Sequence, residues 1–441
     1  MQDVKSVLNT RSDGCCCSSV VVPFAIVSSA QGQASLRFLR PSPLRFLLHP
    51  TADTEKALST GRKRQIMALP TNMTIPTNED LHVLIIGAGV TGLLIAHGLK
   101  QIGVKFSIFE SEPSASHYRP REWSMGIHWA LPQLEALLPP DLRARLKEAQ
   151  NDPFLDAPEQ DEMRIYNGLD GSMLKALPIP RTIRVSRRKL RALCSEDIDY
   201  GYELASVDFK ENGVTAVFTN GEQATGSIIL GTDGPRSKVR EAALGPKAEI
   251  TPMEIVHSNV AITYKDAEKA KFIRAAHPVF SIAVRPGVLS FLSIQDVPDP
   301  EDPANWRFQV VTSWLGKPDE SLDAAGRLAQ LKEKASTMCE PFRSAVLWMP
   351  DDTNITYDRM AYWVPGLNHA ICDAGHFIEA IKKVVAGTSS LKEAIPPYSE
   401  EVVKRGAAEV VVSKQNAIMM LNWDQLMDSP IITRSLDKTS G

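Results

Sequence analysis

The chain has 441 residues, with 49 Lys and Arg against 52 Asp and Glu and a formal net charge of −3. That balance offers no argument for a nucleic-acid partner or an anionic membrane surface, and no apolar run reaches the length of a transmembrane helix, so no stable membrane insertion is expected. Six cysteines, three of them adjacent (Cys15, Cys16 and Cys17), are too few and too scattered for a disulfide framework; hydrophobic residues at 43% and charged residues at 23% describe an ordinary globular chain.

Residues 1–80 differ from the rest. An apolar, Ser-rich stretch is followed by Arg37, Arg40, Arg45, Arg62, Lys63 and Arg64 among several prolines. Lys5 and Arg11 before the apolar stretch, and Ser28-Ser29-Ala30 after it, fit a signal or transit peptide, whereas Asp3, Asp13 and Pro23 oppose it. The reading adopted is a disordered extension, or translated sequence upstream of a start at Met67 or Met73. The expected compartment is then the cytoplasm, with targeting by the extension as the alternative.

Leu81–Glu110 reads as strand, tight turn, helix, strand. Leu81–Ile86 is a short apolar run suited to a strand buried on both faces. Gly87, Gly89 and Gly92 form G-x-G-x-x-G: the first allows the turn, the second lets a pyrophosphate approach the backbone, and the third lets helix and strand pack closely. The helix N-terminus directs free N–H groups at the phosphates. The second strand ends in Glu110, placed to accept hydrogen bonds from ribose hydroxyls. The motif predicts dinucleotide binding and leaves FAD and NAD both open.

Past a polar loop come Arg119, Arg121, Trp123, His128 and Trp129, read either as a core corner or as a wall beside the ring end of the cofactor. Leu131–Gln150 is predicted helical and broken at Pro139-Pro140. Residues 181–194 are basic, mostly a solvated helix face, with one or two arginines near phosphates. A meander is predicted over Leu204–Phe209, Val214–Phe218 and Ser227–Leu230, its last strand running into Gly231-Thr232-Asp233-Gly234. Strands are expected at Asn259–Tyr264, Val279–Val284, Val288–Ile294 and Phe308–Trp314, and a helix over Ser321–Cys339. From Gly366 the chain is predicted helical to Val385, and a long amphipathic helix spans about Pro397–Leu421. His369, Asp373 and His376 share one helix face, an arrangement read as a polar face rather than a metal site; no metal is expected.

Taken in order, the Gly87–Glu110 fingerprint, Arg187-x-x-Leu190, Gly231-x-Asp233-Gly234-x-x-Ser237-x-x-Arg240, Gly366-Leu367-Asn368-His369 and Asp373-Ala374 resemble a class A FAD-dependent monooxygenase of the para-hydroxybenzoate hydroxylase type. Trp123-x-Met125-Gly126-Ile127-His128-Trp129 is similar to a segment of the fungal secondary-metabolism branch. The resemblance spans about residues 80–430. It implies an α/β fold with a Rossmann-like FAD-binding domain, an antiparallel-sheet substrate domain and C-terminal helices. The corresponding spans are 81–250 with an inserted meander, 251–355, and 356–441 returning to the FAD domain.

The resemblance also implies roles. Gly87, Gly89 and Gly92 would meet the FAD pyrophosphate and Glu110 the adenosine ribose. Arg121 would lie near the flavin, and Arg187 near the phosphate or ribityl chain. Asp233 and Gly234 would be shared between FAD and the NADPH pyrophosphate. Gly366 and Asn368 would open the helix facing the flavin pyrimidine ring. His128 and Tyr362 are pocket candidates, and no catalytic acid or base is assigned. The implied reaction is reduction of FAD by NADPH, formation of a C4a-hydroperoxide with O2, and oxygenation of a small aromatic, polyketide or alkaloid-type metabolite.

One family element is absent. A strand ending in Gly-Asp should precede the flavin-facing helix, but the chain contains no Gly-Asp dipeptide, and Trp363-Val364-Pro365 runs directly into Gly366. Loss of that central strand should leave neighbouring strands with unpaired N–H and C=O groups and remove a core layer. Two readings follow: a segment skipped in the gene prediction, or a truncated, non-catalytic homologue with weak FAD binding. A plain NAD-dependent dehydrogenase is disfavoured by Asp233-Gly234 and the lack of a Tyr/Lys or zinc set.

Overall fold

The computed structural model describes residues 26–28, 81–117, 122–195, 197–210, 213–362 and 366–434. Its first layer grows from β2 (His82–Ile86), in which Val83, Leu84, Ile85 and Ile86 are all buried. Successive side chains of a strand point to opposite faces. Val83 and Ile85 accordingly enter one core with α1 (Val90–Gln101), while Leu84 and Ile86 enter another with Phe109, Val214 and Phe218. Each such side chain contributes roughly 1.5–3 kcal/mol by leaving water.

β3 (Lys105–Glu110) and β12 (Ile228–Gly231) flank β2 in parallel, and β8 (Ile198–Tyr200) lies parallel beyond β3. The outer edge of β12 is paired antiparallel by β1 (Ile26–Ser28), completing a five-stranded sheet. That edge is therefore filled from within residues 1–80, whose other members lie outside the described residues.

The strand expected to close the meander belongs instead to the main sheet. Ile228, Ile229 and Leu230 are all buried, the pattern of a strand covered on both faces. β11 (Gln223–Gly226) replaces it beside β10 (Gly213–Phe218) and β9 (Leu204–Lys210). α5 (Lys238–Leu244) follows β12.

The second layer is a seven-stranded sheet. It contains β13 (Thr251–Ile262), β14 (Phe280–Arg285), β15 (Val288–Asp296) and β16 (Arg307–Leu315), close to the expected strands except that β13 starts well before the expected Asn259. It also draws β5 (Gln160–Asn167), β6 (Met173–Pro180) and β17 (Tyr357–Tyr362) from outside 251–355. The strand order is β17-β13-β16-β15-β14-β5-β6. Along β16, Phe308, Val310 and Trp314 pack on α7 (Ala324–Ala335) and α8 (Phe342–Leu347). Gln309, Val311 and Ser313 therefore face the other way. α6 (Ala267–Arg274) adds Ala270 and Ile273 to the helix-side core.

A short antiparallel ribbon, β4 (Ser124–Ile127) and β7 (Ile183–Ser186), stands between the layers. α2 (Leu131–Leu137) and α3 (Pro140–Ala144) interrupt the predicted helix at the two prolines as expected. α4 (Arg187–Cys194) follows β7. α9 (Leu367–Val385) crosses α1 closely because Gly98 has no side chain: a Cβ there would come 2.6 Å from Ile378 Cγ1.

α10 (Leu391–Met419) starts six residues before the predicted Pro397. Glu393 accepts both the N–H and the Oγ–H of Ser390 at 2.9 Å, fixing the start upstream of Pro396 and Pro397. Tyr398 and Val402, buried against the α1/α9 core, hold the helix together past those prolines. Among the described residues no helix is long and apolar enough to cross a membrane.

Candidate cofactor site

The turn after β2 is built by steric exclusion. Gly87 has φ +103°, and a Cβ on it would lie 2.6 Å from the Thr232 carbonyl oxygen. A Cβ on Gly92 would lie 2.3 Å from the Gly87 oxygen. Gly89 is different: its φ of −72° suits any residue and a Cβ would have room, 3.7 Å from Thr232 O. Gly89 caps α1 without any side-chain hydrogen bond, and the first turn carries no acidic residue. The N–H groups of that turn are thus offered to an external anion.

Glu110 closes the cradle from the end of β3. Its Oε2 accepts Ala88 N–H and its Oε1 accepts Glu112 N–H, both at 3.0 Å. Arg191 of α4 reaches the same carboxylate: Nη2 stands 3.3 Å from Glu110 Oε2, Nη1 pairs with Glu112, and Nε donates to Ala88 O at 2.9 Å. Nη2 is buried and makes no hydrogen bond. The basic run was expected to be mostly a solvated face with one or two arginines near phosphates, without singling out Arg191; its position four residues after Arg187, on one stripe of α4, is the available signal. Arg187 itself lies 5.0 Å over the Trp123 ring.

Thr232 joins the third element to the turn, donating from Oγ1 to Gly87 O at 2.6 Å. Asp233 and Gly234, the latter at φ +83°, follow it. Asp233 Oδ2 accepts Lys238 N–H at 2.6 Å, while Oδ1 is buried with no partner. Burial raises this carboxyl above its ordinary 3.8. Gly87, Gly89, Gly92, Glu110, Asp233 and Gly234 thus converge at one end of the sheet. The glycine cradle, the open helix N-terminus and the partnerless Asp233 Oδ1 fit a dinucleotide.

Gly366 caps α9, again with no side-chain cap and no acidic residue in the first turn. The Asn368 side chain is committed elsewhere: Oδ1 accepts His128 N–H and Nδ2 donates to Gly126 O, both at 3.0 Å. It ties the ribbon to the start of α9 and leaves the backbone N–H groups as the feature that can face a ligand. Arg121 and the Tyr362 side chain lie outside the described residues.

His369, Asp373 and His376 all face α10, the first two buried and His376 at the exposed edge. Asp373 pairs with Arg405, His376 Nδ1 is 3.2 Å from Glu401, and His369 Nε2 is 3.6 Å from Glu409. The expected polar face is largely buried, His369 and Asp373 above all, because Arg405 supplies the positive charge that this face requires.

A Rossmann-type cradle joined through a ribbon to a large mostly antiparallel sheet, with a second uncapped helix returning to the first layer, is the architecture of a dinucleotide-binding flavoprotein. The family described as "FAD binding domain" matches residues 80–296. The FAD-dependent monooxygenase phnB of Penicillium herquei is 38% identical over 392 residues, covering 81% of this chain and 95% of the relative. The FAD-dependent monooxygenase cctM of Talaromyces islandicus is 34% identical, covering 83% and 99%. In fold the chain is similar to Klebsiella pneumoniae HpxO complexed with FAD and uric acid, with a TM-score of 0.61 at 17% identity over 79% of this chain and 91% of that one. The chain belongs to the FAD-dependent monooxygenases and is an enzyme; its fold is that of the para-hydroxybenzoate hydroxylase type.

Proposed function

We propose that this monooxygenase draws electrons from NADPH and uses O2 to oxygenate a small aromatic or polyketide-type metabolite. The observation that carries the reading is the pair of uncapped helix N-termini, α1 above the glycine cradle and α9 beside the ribbon. The N–H groups of α1 would bind the pyrophosphate, while Glu110 and Arg191 would hold the ribose end. The dipole of α9 would favour negative charge on the ring system at its N-terminus. Asn368 keeps that N-terminus and the ribbon in fixed register. Bound FAD supplies electron transfer from the nicotinamide and activation of dioxygen. The large sheet would cover the reacting centre and exclude water.

Purified full-length protein tests this directly. It should carry yellow flavin, or take it up from added FAD, and oxidise NADPH in preference to NADH, faster with an accepted phenolic substrate. Protein that stays colourless in excess FAD would favour the non-catalytic reading, in which loss of the Gly-Asp strand has removed cofactor binding.

A further inference from the structure

β12 is enclosed as an interior strand is. Ile228, Ile229 and Leu230 are all buried, Ile228 and Leu230 in the core shared with α1 and α9, and Ile229 in the core shared with Val214 and Phe218. A strand covered on both faces needs neighbours along both edges, because its backbone N–H and C=O groups are cut off from water. The body of the fold gives β12 one neighbour, β2. The other edge is satisfied by β1, in the register Ile26 to Leu230, Val27 to Ile229 and Ser28 to Ile228.

That edge is a slot one strand wide. β1 lies beside both α10 and β10, and these two elements belong to the cores on opposite faces of the sheet. A segment entering the slot gains ladder hydrogen bonds along one side and cover above and below, which is recognition by strand addition. Ile26 and Val27 are β-branched, as such a pleated, enclosed position favours.

Chain connectivity does not force the pairing. Ile228 is matched to Ser28 on one side and to Val83 on the other, so Ser28 and the start of β2 stand at the same end of the sheet, about 10 Å apart at two strand spacings. Roughly three extended residues would bridge that gap, whereas residues 29–80 lie between. β1 is therefore held by the edge it pairs with, as a tethered ligand is, and not by a tight turn.

The slot leads to the cofactor cradle. β12 runs directly into Thr232, whose N–H donates to Ile86 O at 2.8 Å and whose Oγ1 donates to Gly87 O at 2.6 Å, and then into Asp233. The seating of β12 thus sets one wall of the turn after β2.

We propose that the outer edge of β12 is a strand-binding site, that its ligand is this chain's own Ile26–Ser28, and that its occupancy governs how tightly the cradle holds FAD. The last part rests on the reading of the cradle as the FAD site. By linkage, strand and FAD each favour the binding of the other. A chain beginning at Met67 or Met73 would present an empty slot and hold FAD weakly.

The test uses the full-length chain. Ile26→Pro with Val27→Pro removes two successive N–H groups, so the one facing β12 is lost in either orientation. FAD affinity, read by flavin fluorescence, should fall about tenfold or more. A peptide of residues 22–31 should restore it in trans, and the same peptide carrying both prolines should not. Hydrogen exchange in residues 24–30 of the wild type should slow when FAD is added. Val27→Cys with Ile229→Cys should form a disulfide within one chain, identified by peptide mapping, and the oxidised protein should release FAD more slowly than the reduced one. This pair keeps the test decisive if the proline variant does not fold. Wild-type FAD affinity in a folded proline variant, absence of the 27–229 link, a link between two chains, or equal FAD release from oxidised and reduced protein would overturn the proposal. The link does not depend on FAD, so wild-type protein that forms it yet stays colourless in excess FAD would count against the monooxygenase reading while leaving the strand site standing.

Discussion

Arg191 Nη2 stands 3.3 Å from Glu110 Oε2, so the carboxylate that ends β3 is braced by a residue 81 positions away in the chain. The same guanidinium holds Glu112 and the Ala88 carbonyl, and all three side chains are largely enclosed. One cation therefore sets the position of the turn, the end of β3 and the start of the loop beyond it.

Removing that cation should cost both stability and cofactor. Arg191→Met leaves two buried carboxylates without their counter-charge, and loss of one partner from a buried pair costs about 3–5 kcal/mol. Arg191→Lys should rescue only part of the loss, because an ammonium cannot span two carboxylates and a carbonyl as a planar fork does. Denaturant unfolding and the flavin content of the purified variants check this. Wild-type stability in Arg191→Met would show that the brace is dispensable.

The glycines of the cradle should separate folding from binding. Gly92→Ala places a Cβ 2.3 Å from Gly87 O, a backbone atom that cannot yield cheaply, so soluble yield and Tm should both fall. Gly89→Ala has ordinary φ and 3.7 Å of clearance, so its Tm without cofactor should match wild type. Its FAD affinity should nevertheless drop, because the new methyl would stand at the proposed pyrophosphate position. Fluorescence titration with FAD decides the matter; unaltered affinity in Gly89→Ala would place the phosphates elsewhere.

Acid should weaken the large sheet through His277. The ring is buried at the entry to β14, and its Nδ1 accepts the N–H groups of Val279 and Phe280 at 3.1 and 3.2 Å. Burial holds its pKa below the ordinary 6.5, with Asp161 and its opposing charge 3.4 Å away. The unfolded chain then binds the proton more readily than the folded one. Stability from this group is complete above 6.5 and is lost as pH falls from there through the lower folded value. Tm measured from about pH 7.5 to about pH 5 should fall less steeply in His277→Asn, which keeps an acceptor near the same place without titrating. Parallel curves for the two proteins would exclude His277 as the source.

The geometry of the turn after β2 was legible because its logic is local. Gly87, Gly89 and Gly92 are read from the backbone conformations and clearances that a turn and a helix start require, and Glu110 from its distance along the same βαβ unit. α9 was legible for the same reason, with its start at Gly366 and its end at Val385. β5 and β6 were missed although Met163 and Ile165, and Leu177 and Ile179, carry the period-2 signal of strands with one covered face. The last strand of the expected meander was misassigned because an apolar run such as Ile228-Ile229-Leu230 announces burial without naming its neighbours.

By itself the amino-acid sequence determined that β2 is covered on both faces, that a dinucleotide cradle follows it, and that the chain resembles a flavin monooxygenase. These rest on spacing and sterics within some thirty residues. Only the tertiary structure decided that Ile26–Ser28 fills the edge of β12, that Arg191 braces Glu110, and that Asn368 fastens the ribbon to α9. Charge compensation and hydrogen-bond satisfaction are settled by which groups meet in space, and these groups come from segments far apart in the chain.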